Sequence, residues 1–182
     1  MLRKNLSILL VLVCLFILWT GLIFYFSSQP PAVSNSQSGW AVKIINAVNE
    51  TFDITGTDFY AQIEAKVKDI WFFGRYKSPH AVVRKSAHFG IYFLLGMITG
   101  AGGFLYARKL PVGFLLGLSI PVTVAVLDEY NQGFVGRTSS LNDVIIDGTG
   151  AFFGALTVIL FFSVIKIFNY ACRFFRRHIK RK

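Results

Sequence analysis

At 182 residues the chain has room for one domain by the usual prior. It is 54% hydrophobic and 16% aromatic, with a mean hydropathy of +0.55, which excludes an ordinary soluble domain and fits a multi-pass membrane protein. The net charge of +10 invites a nucleic-acid reading, but the basic residues gather at the ends of apolar runs, so the partner they point to is a bilayer and no nucleic acid is assigned.

The first apolar run, 6–26, is long enough for a hydrocarbon core of roughly 30 Å. Arg3 and Lys4 precede it. A cleaved signal, with Ala32-Val33-Ser34 as the small-residue site, is the rival reading. The run exceeds the 7–15 apolar residues typical of such signals, so a retained span is expected. Pro30 and Pro31 then end the helix. The segment 27–84 is the long polar loop. Within it Trp40, Ile44, Ile45 and Val48 share one helical face, and Phe59, Tyr60, Ile63, Val67, Ile70 and Trp71 share another. Short amphipathic helices on the membrane surface or over a site are one expectation, and a loop with only nascent helix is the other.

Ser78-Pro79 reads as a helix start, with Ser78 as N-cap. The second span is expected at 87–107, with Gly96 and Gly100 as a close-packing pair and Gly102 and Gly103 adding narrow surface, or breaking the helix. Arg108 and Lys109 follow, and Pro111 restarts the chain as a third span at 112–132, with a kink expected at Pro121. Ser140 and Asp143 have the spacing of a capping box for a fourth span at 144–168, in which Gly150 and Gly154 repeat the close-packing signal. A basic tail, 173–182, closes the chain as an anchor on anionic lipid. Cys14 and Cys172 have neither metal nor disulfide spacing.

The expected fold class is an all-α integral membrane protein with four transmembrane helices, a single domain over 1–182. If the spans alternate, Arg3-Lys4, Arg108-Lys109 and the tail share one side, and the positive-inside tendency makes it the cytoplasm. Both termini are then cytoplasmic and the long loop is extracellular, in a multi-pass protein of the cell membrane. The consequence is a polar layer. Of nine acidic residues, five lie in the loop, and the other four are Asp128, Glu129, Asp143 and Asp147. This topology brings them to the same outer end as His88 and Arg137. Arg84, His88 and Tyr92 share a helical face, as do Asp128 and Gln132, and Asp143 and Asp147. Asp147 lies deepest and needs a partner, for which Arg137 is the expected one through a bidentate pair. Such groups in a membrane mark a functional site by default, although a purely structural ion-pair network is also open.

Four stretches carry a family resemblance. They are Val83-Arg84-Lys85-Ser86-Ala87-His88-Phe89-Gly90-Ile91-Tyr92, then Asp128-Glu129-Tyr130-Asn131-Gln132, then Gly136-Arg137, then Asn142-Asp143-Val144-Ile145-Ile146-Asp147-Gly148-Thr149-Gly150-Ala151. With Phe26-Ser27-Ser28-Gln29-Pro30 they resemble the VanZ-like membrane proteins. In one place the chain departs from the family's usual pattern, with Asn131 where a second histidine is common. The resemblance implies a tie to glycopeptide (teicoplanin-type) tolerance and, by analogy, action on a lipid or lipid-linked head group of the cell envelope.

Residue chemistry is compatible with that implication. His88, Asp128 and Glu129 are the candidate catalytic groups for a head-group hydrolase or transferase, with His88 as base or nucleophile. Arg84, Lys85, Tyr92, Gln132, Arg137, Asp143 and Asp147 are the candidate substrate-binding groups. No metal ligand is assigned, and the cofactor is left open. A non-catalytic envelope-organising protein that grips a lipid or a glycopeptide is the alternative. A small transporter is less favoured, because four spans without a repeat leave little room for alternating access.

Overall fold

The computed structural model describes residues 2–52, 57–72, 79–137 and 139–179. The expected Ser78 cap, the loop end at 74–77, Thr138 and the last basic residues, 180–182, lie outside them. The described residues form six helices and no strand. These are α1 (Leu2–Ser27), α2 (Pro31–Phe52), α3 (Asp58–Phe72), α4 (Pro79–Ala107), α5 (Leu110–Phe134) and α6 (Leu141–Ile179).

Four of them hold segments long and apolar enough to cross a membrane: Leu6–Ser27, Ala81–Ala107, Leu110–Phe134 and Leu141–Arg173. Each expected span is present, and each helix outruns it. Helix α6 has 39 residues, roughly 58 Å at 1.5 Å per residue, against a hydrocarbon core of roughly 30 Å. The hydrocarbon sets how much of a helix must be apolar, not where the backbone hydrogen bonding stops. The apolar face of α1 shows why a bilayer is needed. Leu6, Leu10, Val11, Ile17 and Leu18 are all exposed on it, more apolar surface than a soluble chain leaves in water.

Helices α4, α5 and α6 form the tight centre, and glycines set their spacing. A Cβ on Gly150 would lie 2.3 Å from the Phe89 carbonyl oxygen, and one on Gly154 would lie 2.0 Å from that of Phe93. Gly96 faces Ala151 as closely, at 2.4 Å. These contacts bring 89 beside 150 and 93 beside 154, so α4 and α6 run parallel. Helix α5 returns between them, with Gly117 against Gly100 and Ala155. Gly113 and Gly117 thus join the close-packed set expected from Gly96, Gly150 and Gly154. Gly102 does not, since nothing lies within 4 Å of its Cβ position, and α4 runs through it unbroken. Gly100 has ordinary contacts at 3.5 Å.

Helix α1 leans on this centre through Ile23, with Phe16, Trp19 and Phe24 packed around Tyr92, Leu95, Val124 and Ala125. Trp19 Nε1 donates to the Ile91 carbonyl at 3.0 Å. The long polar loop is largely helical, as α2 and α3, and of the two expected apolar faces the side chains at 45, 48, 59, 60, 67, 70 and 71 lie outside those described. Trp40 and Ile44 on α2 and Ile63 on α3 are exposed.

Candidate functional site

The polar residues converge at one end of the bundle, where α1 and α5 finish and α4 and α6 begin. Two turns aim them. At the end of α5, Gly136 takes φ +72, and the Arg137 N–H bonds the Gln132 carbonyl at 3.2 Å. This six-residue closure is a Schellman motif, and glycine supplies the left-handed residue it needs. It turns Arg137 back over the helix end, where one guanidinium N–H meets the Ser27 carbonyl at 3.5 Å. At the start of α6, Ser140 Oγ accepts from the Asn142 N–H at 3.2 Å.

The expected capping box is corrected here. The Ser140 N–H does not turn to Asp143. It donates to Glu129 Oε2 at 2.8 Å, so the reciprocal carboxylate comes from the preceding helix. Asp143 is thereby free to pair with Lys85 on α4. The expected Arg137–Asp147 pair is corrected too. Asp147 sits at the bottom of the layer with no exposed side-chain surface, and its oxygens lie 3.4 and 3.5 Å from His88 Nδ1. Arg137, on the short connection between α5 and α6, caps the end of α1 instead. Sequence spacing places two groups on one level of the membrane. It does not say which faces which.

Asp128 is equally buried. Its Oδ2 accepts from Gln132 Nε2 at 3.2 Å, one helical turn on, as their shared face implies. Asp128 Oδ1 and Asp147 Oδ1 have no hydrogen-bond partner, and neither has the Tyr92 hydroxyl. Glu129 is buried and lines neither of the cavities described next, so its place in the site is to hold the α6 N-terminus.

Two cavities share this end. One, of about 210 Å³, is polar and is lined by Arg84, Lys85, His88, Gln132, Arg137, Asp143 and Asp147, with Pro31 at the start of α2 over it. The other, of about 320 Å³, is a largely apolar groove between α1 and α4, lined by Trp19, Leu22, Ile23, Phe26, Val83, Ala87, Ile91 and Tyr92. Arg84, His88 and Arg137 line both, and Asp128 lines the groove. Burial, with the Arg84 charge nearby, pulls the Arg137 pKa below its ordinary value, and Asp128, Glu129 and Asp143 work against that fall. The guanidinium stays a cation at neutral pH. Among the described residues neither Arg84 nor Arg137 forms an ion pair with a carboxylate.

Asn131 looks away from all this. Its Nδ2 donates to Ser28 Oγ at 3.0 Å, and it lines neither cavity. Ser27 Oγ reaches the Asp128 carbonyl at 3.4 Å, so the end of α1 is tied to α5 at two points.

One grouping has no local signal in the chain. Single donor atoms from His88, Asp128 and Asp147 all lie within 4.8 Å of one another, the spacing of a metal-binding cluster. The three residues come from α4, α5 and α6, so no spacing within a segment could have announced them.

Four apolar helices around a partly open polar cavity at one end define a multi-pass membrane protein. A family model described as VanZ/LLP1 matches residues 12–162, and the chain belongs to that family. No curated protein and no solved structure matches it.

Proposed function

We propose that this protein holds an amphiphile with an anionic head group, a lipid or lipid-linked envelope precursor, at the outer face of the cell membrane. The observation that carries the reading is the continuity of the two cavities. An apolar groove for a chain opens beside a polar cavity for a head group, with Arg84, His88 and Arg137 at their junction. A water-soluble ligand has no use for the groove, and a plain acyl chain has no use for the cations.

Two arginines close to each other, neither in an ion pair with a carboxylate among the described residues, favour an incoming anion. Guanidinium suits phosphate through paired N–H donors. The cavity also presents His88, held by Asp147, so the site has a group able to act on the head group as well as grip it. The outer-face assignment follows from the positive-inside tendency of Arg3-Lys4, Arg108-Lys109 and the tail. Family membership supports a contribution to teicoplanin-type glycopeptide tolerance by this route.

The test compares membranes carrying wild type, Arg84→Gln, Arg137→Gln and His88→Gln at equal protein levels. Lipid co-purifying with wild type should contain a phosphorylated amphiphile, and the two arginine variants should lose it. If His88 acts on the head group, His88→Gln should retain the lipid while the head-group profile of the membrane reverts to that of cells lacking the protein. Equal lipid in wild type and both arginine variants would sink the reading.

A further inference from the structure

We propose that His88, Asp128 and Asp147 form a binding site for one divalent transition-metal cation, Mn²⁺ or Zn²⁺. The inference rests on that triad alone and stands whatever amphiphile the cavities take.

Charge is the first reason. Asp147 is 0% and Asp128 1% exposed, inside a bundle that the bilayer surrounds. A buried carboxylate without a partner is costly, by several kcal/mol per ion even after relaxation. The chain has cations close by and sends them elsewhere. Lys85 goes to Asp143, Arg137 goes to the Ser27 carbonyl, and Arg84 joins no carboxylate among the described residues. His88 lies within 4.8 Å of both aspartates and can carry at most one positive charge, while Tyr92 lies against Asp128 and Arg137 is within charge range of it.

Orphaned oxygen atoms are the second reason. Asp128 Oδ1 and Asp147 Oδ1 are both enclosed and neither accepts a well-formed hydrogen bond, His88 Nδ1 standing 3.4 Å from Asp147 Oδ1 and Tyr92 against Asp128. Buried polar atoms in folded proteins nearly always find a partner, and two from different helices converging on one imidazole point to a shared one. Gln132 steadies the other oxygen of Asp128, as hydrogen bonds to ligating carboxylates do in metal sites.

Geometry is the third. An ion with bonds of about 2.0–2.2 Å holds its donors roughly 3–4.4 Å apart, depending on whether they are adjacent or opposite. The three donor atoms lie within 4.8 Å of one another, so small side-chain rotations close the set. One imidazole nitrogen with two carboxylate oxygens suits Zn²⁺ or Mn²⁺ better than Ca²⁺, which prefers oxygen alone. Because His88 and Asp147 line the polar cavity and His88 and Asp128 the groove, the open coordination positions would face the junction between them. There the cation would meet the head group from below, with Arg84 and Arg137 beside it.

The experiment uses the full chain in nanodiscs of phosphatidylcholine and phosphatidylglycerol, stripped with chelator and titrated with Mn²⁺ alone. Loss of the free-ion electron paramagnetic resonance signal should show one ion bound per chain, released by Zn²⁺. Pulsed spectra of the bound ion should carry the coupling of one imidazole nitrogen. Asp147→Asn, Asp128→Asn and His88→Gln should each weaken binding at least tenfold. No binding by wild type, equal binding by all three variants, or an ion without nitrogen coupling would each overturn the proposal, and the last needs no variant to fold. Lipid release and metal binding are read separately. An ion bound by protein that holds no amphiphile leaves the cation site and removes the lipid reading, and lipid held by a chain that binds no ion does the reverse.

Discussion

Asp128 and Asp147 are where stability and function pull apart. Each carries a buried oxygen that no donor satisfies. In chelator-treated protein, Asp128→Asn removes a buried carboxylate that has no ion pair and keeps an acceptor for Gln132. We expect it to unfold at a higher temperature than wild type, by about 1–2 kcal/mol of stability, because breaking up an unpaired buried charge is favourable where its partner is missing. Thermal unfolding in detergent measures this, and a lower midpoint would mean that the carboxylate is satisfied in the apo protein. Asn131 makes the opposite case. The family resemblance leads one to expect a histidine there, yet the Asn131 side chain bonds Ser28 at the end of α1 and lines neither cavity. Asn131→His can keep a donor to Ser28, so lipid retention and glycopeptide tolerance should stay at wild-type levels. A large change in either would show that position 131 reaches the site.

At the scale of the helices, glycine decides which faces meet. Gly154→Ala puts a Cβ 2.0 Å from the Phe93 carbonyl oxygen, a backbone atom that a rotamer change cannot move. Helices α4 and α6 would have to separate, and those two helices carry His88 and Asp147. The expected cost is at least the roughly 1–3 kcal/mol of an overpacked core, and His88 and Asp147 would part with it. Gly102→Ala, on the same helix as Gly96 but with open space at its Cβ, should be neutral or stabilising by up to about 1 kcal/mol, from helix propensity alone. Measuring the two detergent melting temperatures side by side checks the packing directly. If Gly102→Ala is the more damaging of the two, the helix rotations given above are wrong. The turn at Gly136 works at the same scale, since its left-handed residue is what returns Arg137 to the cavity rim.

Across the whole molecule the question is which way the site faces. Arg3-Lys4, Arg108-Lys109 and Arg173 lie at the bundle end opposite His88, and from the positive-inside tendency we propose that this end faces the cytoplasm. Cysteine in place of Ser36, on the exposed side of α2, should react with a membrane-impermeant reagent applied to intact cells, and cysteine in place of Lys109 should react only after lysis. The reverse labelling pattern would move the site to the inner leaflet and with it the class of lipid it meets. The long α6 agrees with an anchor at the basic end, because at roughly 58 Å it is longer than the hydrocarbon and its last turns carry Arg173, Arg176 and Arg177.

Composition and periodicity determined four spans and a single layer holding His88, Asp128, Glu129, Gln132, Arg137, Asp143 and Asp147, motif resemblance pointed to the family, and the helicity of the polar loop was left open. These properties are local: the apolar length of a run, the step of four that puts Arg84 beside His88, the distance of a charge from a helix end. Tertiary structure decided the pairings. Asp147 could have met Arg137, and Asp143 could have capped its own helix, until the rotation of each helix about its axis was known. That rotation is set by contacts between helices, Gly150 on Phe89 and Gly154 on Phe93, which no single segment encodes. The same rotations gather His88, Asp128 and Asp147 from three helices and turn Glu129 away to hold Ser140, so the metal-like cluster and the groove beside it exist only in the assembled bundle.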